Sequence, residues 1–159
     1  MNEIVLRSAT LEDLDVLLEF EQGIITAERP FEPTLKSERI SYYNIKSFIP
    51  ADDVEVVVAC IADEIIGSGY VKIEKSKSFQ KFDYHAYIGF MFVRPEHRGK
   101  GVNQLLMDKM LLWAKEKNLT EVRLEVYNDN APAIRAYEKA GFRKHMIEMR
   151  LDVGENTVE

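Results

Sequence analysis

Apolar and polar positions along this chain change period several times, and each change marks an element. Residues 4–9, IVLRSA, alternate with the two-residue period of a strand. Thr10 follows as a helix cap with Asp13 as its capping-box partner. Leu11, Leu14, Leu17 and Leu18 then recur at helical spacing. Two prolines in ERPFEP (28–33) end that helix. A second helix is predicted over about 35–47, with Ile40, Tyr43 and Phe48 near its apolar face. VEVVVACIA (54–62) reads as a buried strand from its β-branched residues. Asp63 and Glu64 turn the chain, and 65–74 returns as the second strand of a hairpin. A polar stretch, 76–83, leads to the next strand, HAYIGFMFV (85–93).

Beyond residue 93 the pattern becomes α/β. Val102, Leu105, Leu106, Met110 and Trp113 share one helical face over 101–117. EVRLEVY (121–127) alternates as a strand. Residues 131–140 form a short helix that Gly141 caps, and 142–153, FRKHMIEMRLDV, is predicted as a final strand. Strand 85–93, helix 101–117 and strand 121–127 make a βαβ unit, so those two strands should run parallel with a right-handed crossover. The expected class is α/β: a central mixed, mostly antiparallel sheet with one parallel strand pair and helices on both faces. It forms a single domain over residues 1–154, followed by a polar tail, 155–159.

Composition narrows the setting. The 159 residues, 46% hydrophobic and 30% charged, suit one soluble globular domain that needs no staples. No apolar run of about 18 residues predicts a membrane span, and the N-terminus lacks the basic-then-apolar pattern of a secretory signal. The lone Cys60 cannot form an internal disulfide, so a cytoplasmic location is expected, and the NLT sequon at Asn118 is read as chance. A net charge of -6 opposes binding to nucleic-acid backbones and tolerates a cationic amine. No metal site is expected.

One turn carries candidate chemistry. Arg98-Gly99-Lys100-Gly101 joins a strand to a helix whose first amides have no internal partner and whose dipole favours an anion. The glycines allow positive φ and close backbone approach, so successive amides can form a phosphate nest. An ordinary loop with two glycines reads equally well from this stretch alone. It is neither a Walker A loop nor the dinucleotide fingerprint, whose third glycine after Gly99 and Gly101 would fall at Gln104.

A second stretch separates these readings. VRPEHRGKG is followed, after the next strand, by NAPAIRAYEKAGF (130–142), and the pair resembles the GNAT superfamily of N-acetyltransferases. Both motifs stand in that family's order, and the strand–helix order over about 3–150 agrees. The resemblance implies that the parallel pair splays apart and that acetyl-CoA lies in the gap, its pantetheine arm beside the backbone of Phe92 and Val93. Backbone across Arg98, Gly99, Lys100, Gly101, Val102 and Asn103 would hold the pyrophosphate. Asn103 departs from the pattern, which has Gly or Ala there. Leaning toward the helix N-terminus, it would crowd the phosphates or donate a hydrogen bond to them.

By the same resemblance Asn130 contacts the pantetheine, although asparagine before a helix is also an ordinary cap. Ala133 lines the cofactor path. Tyr137 stands near the thioester sulfur as the catalytic group that protonates the leaving thiolate. The implied reaction is direct acetyl transfer to a small-molecule or protein amine. The acid often found on the strand before the cradle is missing, which leaves Glu28, Glu32, His85 and Tyr87 as candidates for the proton acceptor. Arg29, Phe31, Tyr42 and Tyr87 are candidate acceptor-site residues. Members of that superfamily often carry a longer loop before the last strand, for which GFRKHMIEMRLDV (141–153) leaves little room; the acceptor cleft is then open on that side or completed by a partner subunit, and a homodimer is the expectation, which light scattering showing only the 18.4 kDa monomer would exclude. A non-enzymatic acyl-CoA sensor of the same fold is the alternative, and an unrelated phosphate-binding domain requires both motif matches to be accidental.

Overall fold

A computed structural model describes residues 3–154; the expected tail, 155–159, lies outside the described residues. The chain begins with β1 (Ile4–Ser8), a short 3₁₀ turn (Leu11–Asp13) and α1 (Leu14–Glu28). It continues through α2 (Ile45–Phe48), β2 (Val54–Ile61), β3 (Glu64–Lys75) and β4 (Tyr84–Val93). Then come a 3₁₀ turn (Pro95–His97), α3 (Val102–Glu116), β5 (Val122–Arg123) and α4 (Ala131–Lys139). The strands form one sheet in the order β1-β2-β3-β4-β5. All neighbours are antiparallel except β4 and β5, which are parallel as the βαβ pattern requires. No helix among the described residues is long and apolar enough to cross a membrane.

Burial in β2 shows how the sheet is covered. Val56 and Val58 face α1 and α2 with Leu17, Phe20, Ile24, Ile45 and Phe90. Val57 and Ala59 face α3 with Ile66, Ile88, Leu106, Met107 and Met110. Successive strand residues point to opposite faces, so an unbroken apolar run is what a strand buried on both faces needs. The helix stripes differ in part from the sequence expectation. Leu11 and Leu18 of the first helical segment, and Leu105 of α3, are exposed, and Phe20 and Met107 take their places in the core.

Two predicted elements are absent. The helix expected over 35–47 is confined to Ile45–Phe48. The segment before it is held instead by side chains reaching its backbone, an alternative that competes with the helix ladder. Arg29 donates to the carbonyls of Lys36 and Glu38, and Gln22 to that of Ile40. The buried carboxylate of Glu21 accepts the amides of Tyr42 and Tyr43 at 2.7 and 2.8 Å. Such charge-assisted bonds are about twice as strong as neutral ones. The strand expected over 142–153 is likewise unpaired, because alternation permits a ladder but does not supply a neighbouring edge. The 121–127 strand pairs only at Ala86↔Val122 and Tyr87↔Arg123.

That early ending has a local cause. The register between β3 and β4 slips between Ser68 and Tyr70, and Phe90 lies at φ 60°, a strained value for a bulky residue. The buried Ser68 hydroxyl donates to the Phe90 carbonyl at 3.1 Å and holds the distortion. A bulge bends its strand and raises its twist. Beyond it, β4 stays with β3 through Val93 while 124–127 follows neither.

Candidate active site

The cradle forms where β4 ends. Gly99 and Gly101 take φ values of 75° and 84°, and Gly101 is the N-terminal cap of α3. A methyl group at either would meet no atom within 4 Å. These glycines therefore serve the left-handed backbone and leave open space above it, rather than relieving a crowded contact. No backbone acceptor is found among the described residues for the amides of Gly99, Lys100, Gly101, Val102, Asn103 and Gln104; Leu105 is the first to bond, to the Gly101 carbonyl at 3.1 Å. A set of unspent amides at the positive end of a 15-residue helix suits a diphosphate. Lys100 is exposed and Asn103 is half-buried in the first turn. Arg98 is folded back, with Nε on the Val93 carbonyl at 2.8 Å and its guanidinium 5.6 Å from the Phe92 ring.

Phe92 also packs against Phe20 at 4.5 Å and against Gly23 of α1, where a Cβ would come within 2.7 Å of its ring. This seats α1 on the end of β4 and fixes the floor of the opening. On its far side, Asn130 caps α4, its side-chain oxygen accepting the Ala133 amide at 3.4 Å. Its other amide atoms remain available. Ala133 is half-buried. The end of α4 is a Schellman arrangement: Phe142 N–H donates to the Tyr137 carbonyl and Gly141 N–H to that of Glu138, both at 3.0 Å. Phe142 stacks edgewise on Tyr137 at 6.2 Å.

Tyr137 packs against the apolar cluster that contains Val93 and Val102, so strand end, cradle and α4 meet in one place. Burial raises the pKa of its phenol above the ordinary value, and the charge of Glu28 adds to this. The hydroxyl therefore keeps its proton at neutral pH.

The α1 side carries a cluster of phenols around Glu28. Burial raises the Glu28 carboxyl, with a partial offset from Tyr42. Burial also raises Tyr42 and Tyr127, and Glu28 contributes to both. The Tyr42 hydroxyl is buried with no partner in hydrogen-bond geometry among the described residues, although Glu28 and Tyr127 are its polar neighbours. An orphaned hydroxyl beside a raised carboxyl marks a place for a polar ligand atom or water. Phe31 stacks on Tyr127 at 6.3 Å and forms part of this wall. The Arg29 guanidinium is spent on two carbonyls of its own loop.

The remaining acid–base candidates are otherwise engaged. Glu32 binds Arg150 and Thr34, and these bonds, the Thr34 hydroxyl first, lower its pKa to about 2. His85 is buried with Nδ1 on Ser76 at 2.8 Å and Nε2 by Glu74 at 3.3 Å. The Tyr87 hydroxyl donates to Glu125 Oε1 at 2.8 Å across the parting strands, and burial raises its pKa. Sequence reasoning missed Glu21, Glu125 and Tyr127. The alternation of EVRLEVY places Glu125 and Tyr127 on one face with Arg123, so the parallel register could have disclosed the last two. Nothing local signals that Glu21 is buried.

Comparison with known proteins identifies the family and the fold. Residues 21–142 match the model of the acetyltransferase (GNAT) family. A streptothricin acetyltransferase of Escherichia coli is 34% identical over 119 residues, 72% of this chain, which spans 64% of that protein's length. An N-alpha-acetyltransferase of Saccharolobus solfataricus is 26% identical over 143 residues, 89% of this chain and 81% of its own. The fold matches that of a predicted acetyltransferase with acetyl-CoA from Clostridium acetobutylicum, with a TM-score of 0.75 at 20% identity, over 98% of this chain and 100% of that one.

Proposed function

Because the chain belongs to the GNAT acetyltransferase family, we propose that it moves the acetyl group of acetyl-CoA directly to a primary amine of a small molecule or protein. The observation that carries this reading is the convergence of unspent amides at Gly99–Gln104 with a protonated Tyr137 and a raised Glu28 beside the opening of β4. Acetyl-CoA supplies an activated acetyl thioester. The cradle amides, Lys100 and the Asn103 side chain bind its pyrophosphate, and the backbone of Phe92 and Val93 with Asn130 and Ala133 lines the arm.

Residue roles follow from the local chemistry. A neutral amine attacks the thioester carbonyl, the carbon–nitrogen bond forms and the carbon–sulfur bond breaks. Glu28 accepts the proton the nitrogen must lose, directly or through a water at the orphaned Tyr42 hydroxyl. Its raised pKa brings it closer to neutrality, where a base works best. Tyr137 gives its proton to the departing thiolate and regains one from solvent. Phe31, Tyr42, Tyr87 and Tyr127 wall the acceptor side, with Arg29 positioning the loop that carries Phe31. A buried lone thiol, Cys60, fits a cytoplasmic setting.

Thiol release from acetyl-CoA, measured over a panel of amines, polyamines, amino acids and peptides, tests the reading. Turnover with at least one acceptor is expected, falling by about 10²-fold or more in Tyr137→Phe with acetyl-CoA affinity retained. Tight acetyl-CoA binding with no turnover across the panel would instead make the chain a sensor.

A further inference from the structure

One buried carboxylate, Glu21, has no part in the transfer chemistry. It lies on α1 about two turns before Glu28, on the same face of the helix. It is 1% exposed, and no basic side chain pairs with it among the described residues. Its Oε2 accepts the amides of Tyr42 and Tyr43 instead. We propose that Glu21 is a positioning residue for acetyl transfer: by holding these two amides it sets Tyr42 beside Glu28 and Tyr43 against the bulge that opens β4. That role rests on the acetyl-transfer reading above and adds to it the group that fixes the acceptor side.

The two bonds fix the backbone. Successive amides converge on one oxygen where the chain bends into a nest, and here the two phenols part. Tyr42 joins the cluster of Glu28 and Tyr127, where its hydroxyl is buried without a partner in hydrogen-bond geometry among the described residues. Tyr43 enters the core, its ring 5.5 Å from Phe90, the residue at φ 60°, and 5.3 Å from Tyr70. One carboxylate thus ties the acceptor-side wall to the point where β4 and β5 part.

Stability alone does not call for a charge at this position. Replacing a buried ionic group with an apolar one of similar size is often neutral or stabilising. What the carboxylate adds is a choice of conformation. The apolar spacing over 35–47 suits a helix, and side-chain bonds to the backbone compete with the helix ladder. With an apolar group at 21, the amides of Tyr42 and Tyr43 lose their acceptor, the segment is free to wind toward α2, and Tyr42 turns away from Glu28. Gln22 and Arg29 grip the same segment only at the carbonyls of Ile40, Lys36 and Glu38, all before Tyr42. They steer the approach of the chain, and Glu21 sets the two tyrosines.

Two variants test this role: Glu21→Leu removes the acceptor, and Glu21→Gln keeps a neutral one. NMR titration of the Glu28 carboxyl needs no turnover. The phenols facing that carboxyl are Tyr42, Tyr43, Tyr127 and Tyr137. Burial influences it more than the Tyr42 bond does. Water admitted by a displaced Tyr42 should therefore move its titration down toward the ordinary range in Glu21→Leu, and less so in Glu21→Gln. With an acceptor that turns over, kcat should fall roughly 10²-fold in Glu21→Leu and a few-fold in Glu21→Gln, while the KM for acetyl-CoA stays unchanged. Adding Tyr42→Phe to Glu21→Leu should cost nothing further. The proposal is overturned by a Glu28 titration unmoved in both variants, by a KM for acetyl-CoA that rises as kcat falls, or by a double variant that loses the full product of the single effects. Should Glu21→Leu not fold, Glu21→Gln decides, and a Glu28 titration and kcat equal to the parent's overturn the role. A parent inactive across the amine panel sinks the acetyl-transfer reading instead, and the titration then judges Glu21 by itself.

Discussion

The two ends of β4 use similar residues for opposite purposes. At its start the strand is flanked on both sides, by β3 and by β5, and its polar groups find partners within the protein: the Ala86 amide donates to the Glu121 carbonyl, and His85 bonds Ser76 and Glu74. At its end one flank is missing, and the amides that follow are unspent. Between them lies one strained residue, Phe90, held by Ser68. Polar groups satisfied internally stabilise the fold, whereas those left free at a preorganised opening are available to a ligand. A conspicuous histidine in the closed part therefore says less about chemistry than a plain glycine turn in the open part.

Changes on either side of that divide test it. The largest effect is expected at the open end with Glu28→Gln, which should lower kcat by about 10²-fold or more and remove the acid limb of the kcat/KM profile that lies above the ordinary carboxylate range. The linkage has a definite sign. A raised folded-state pKa means the native form binds more protons than the unfolded one between the two values, so stability falls as pH rises through that window. At neutral pH the variant should thus melt no lower than the parent, which thermal scans can check. Glu32 behaves oppositely. Lowered to about 2, it contributes stability above the usual carboxylate value, and that contribution fades as pH drops toward 2.

At the closed end, His85→Ala should leave the Ser76 hydroxyl orphaned and cost about 1–3 kcal/mol, seen as a lower melting temperature with an unchanged acetyl-CoA KM in the folded fraction. A changed KM with an unchanged melting temperature would reverse the roles given to the two ends. Gly101→Ala forces a side chain into the left-handed region, at about 1–2 kcal/mol. The added methyl group has open space around it, so this backbone strain alone should lower the melting temperature, and a turn that relaxes away from φ 84° should bind acetyl-CoA roughly tenfold more weakly by calorimetry. The smallest change is expected from Asn103→Gly, a few-fold weaker affinity if its amide meets the pyrophosphate. Tighter binding would show that the asparagine crowds the site.

Much of this was readable beforehand where the signal is local. The parallel βαβ unit, the N-terminal cap at Thr10–Asp13, the Asn130 cap and the Gly141 stop each follow from neighbouring residues, and the structure contains all of them. The cradle was legible as a turn with two glycines, but that six of its amides stay unspent is decided by the folded turn. The predicted helix over 35–47 failed because Glu21, Gln22 and Arg29, remote in sequence, capture the backbone of that segment. The final strand failed for a related reason: its alternation is real, but a ladder needs a second edge.

The sequence by itself determined the order of elements from β1 to α4, the two-faced burial of the sheet and the backbone conformations at Gly99, Gly101 and Gly141, because periodicity, capping and steric permission act over a few residues. Only the tertiary structure decided where β4 and β5 part, which of several acids is raised and which is held ionised, and that residues 143–153 join no strand ladder among the described residues. Those outcomes depend on desolvation and on hydrogen bonds between segments up to 118 residues apart, which no local pattern encodes.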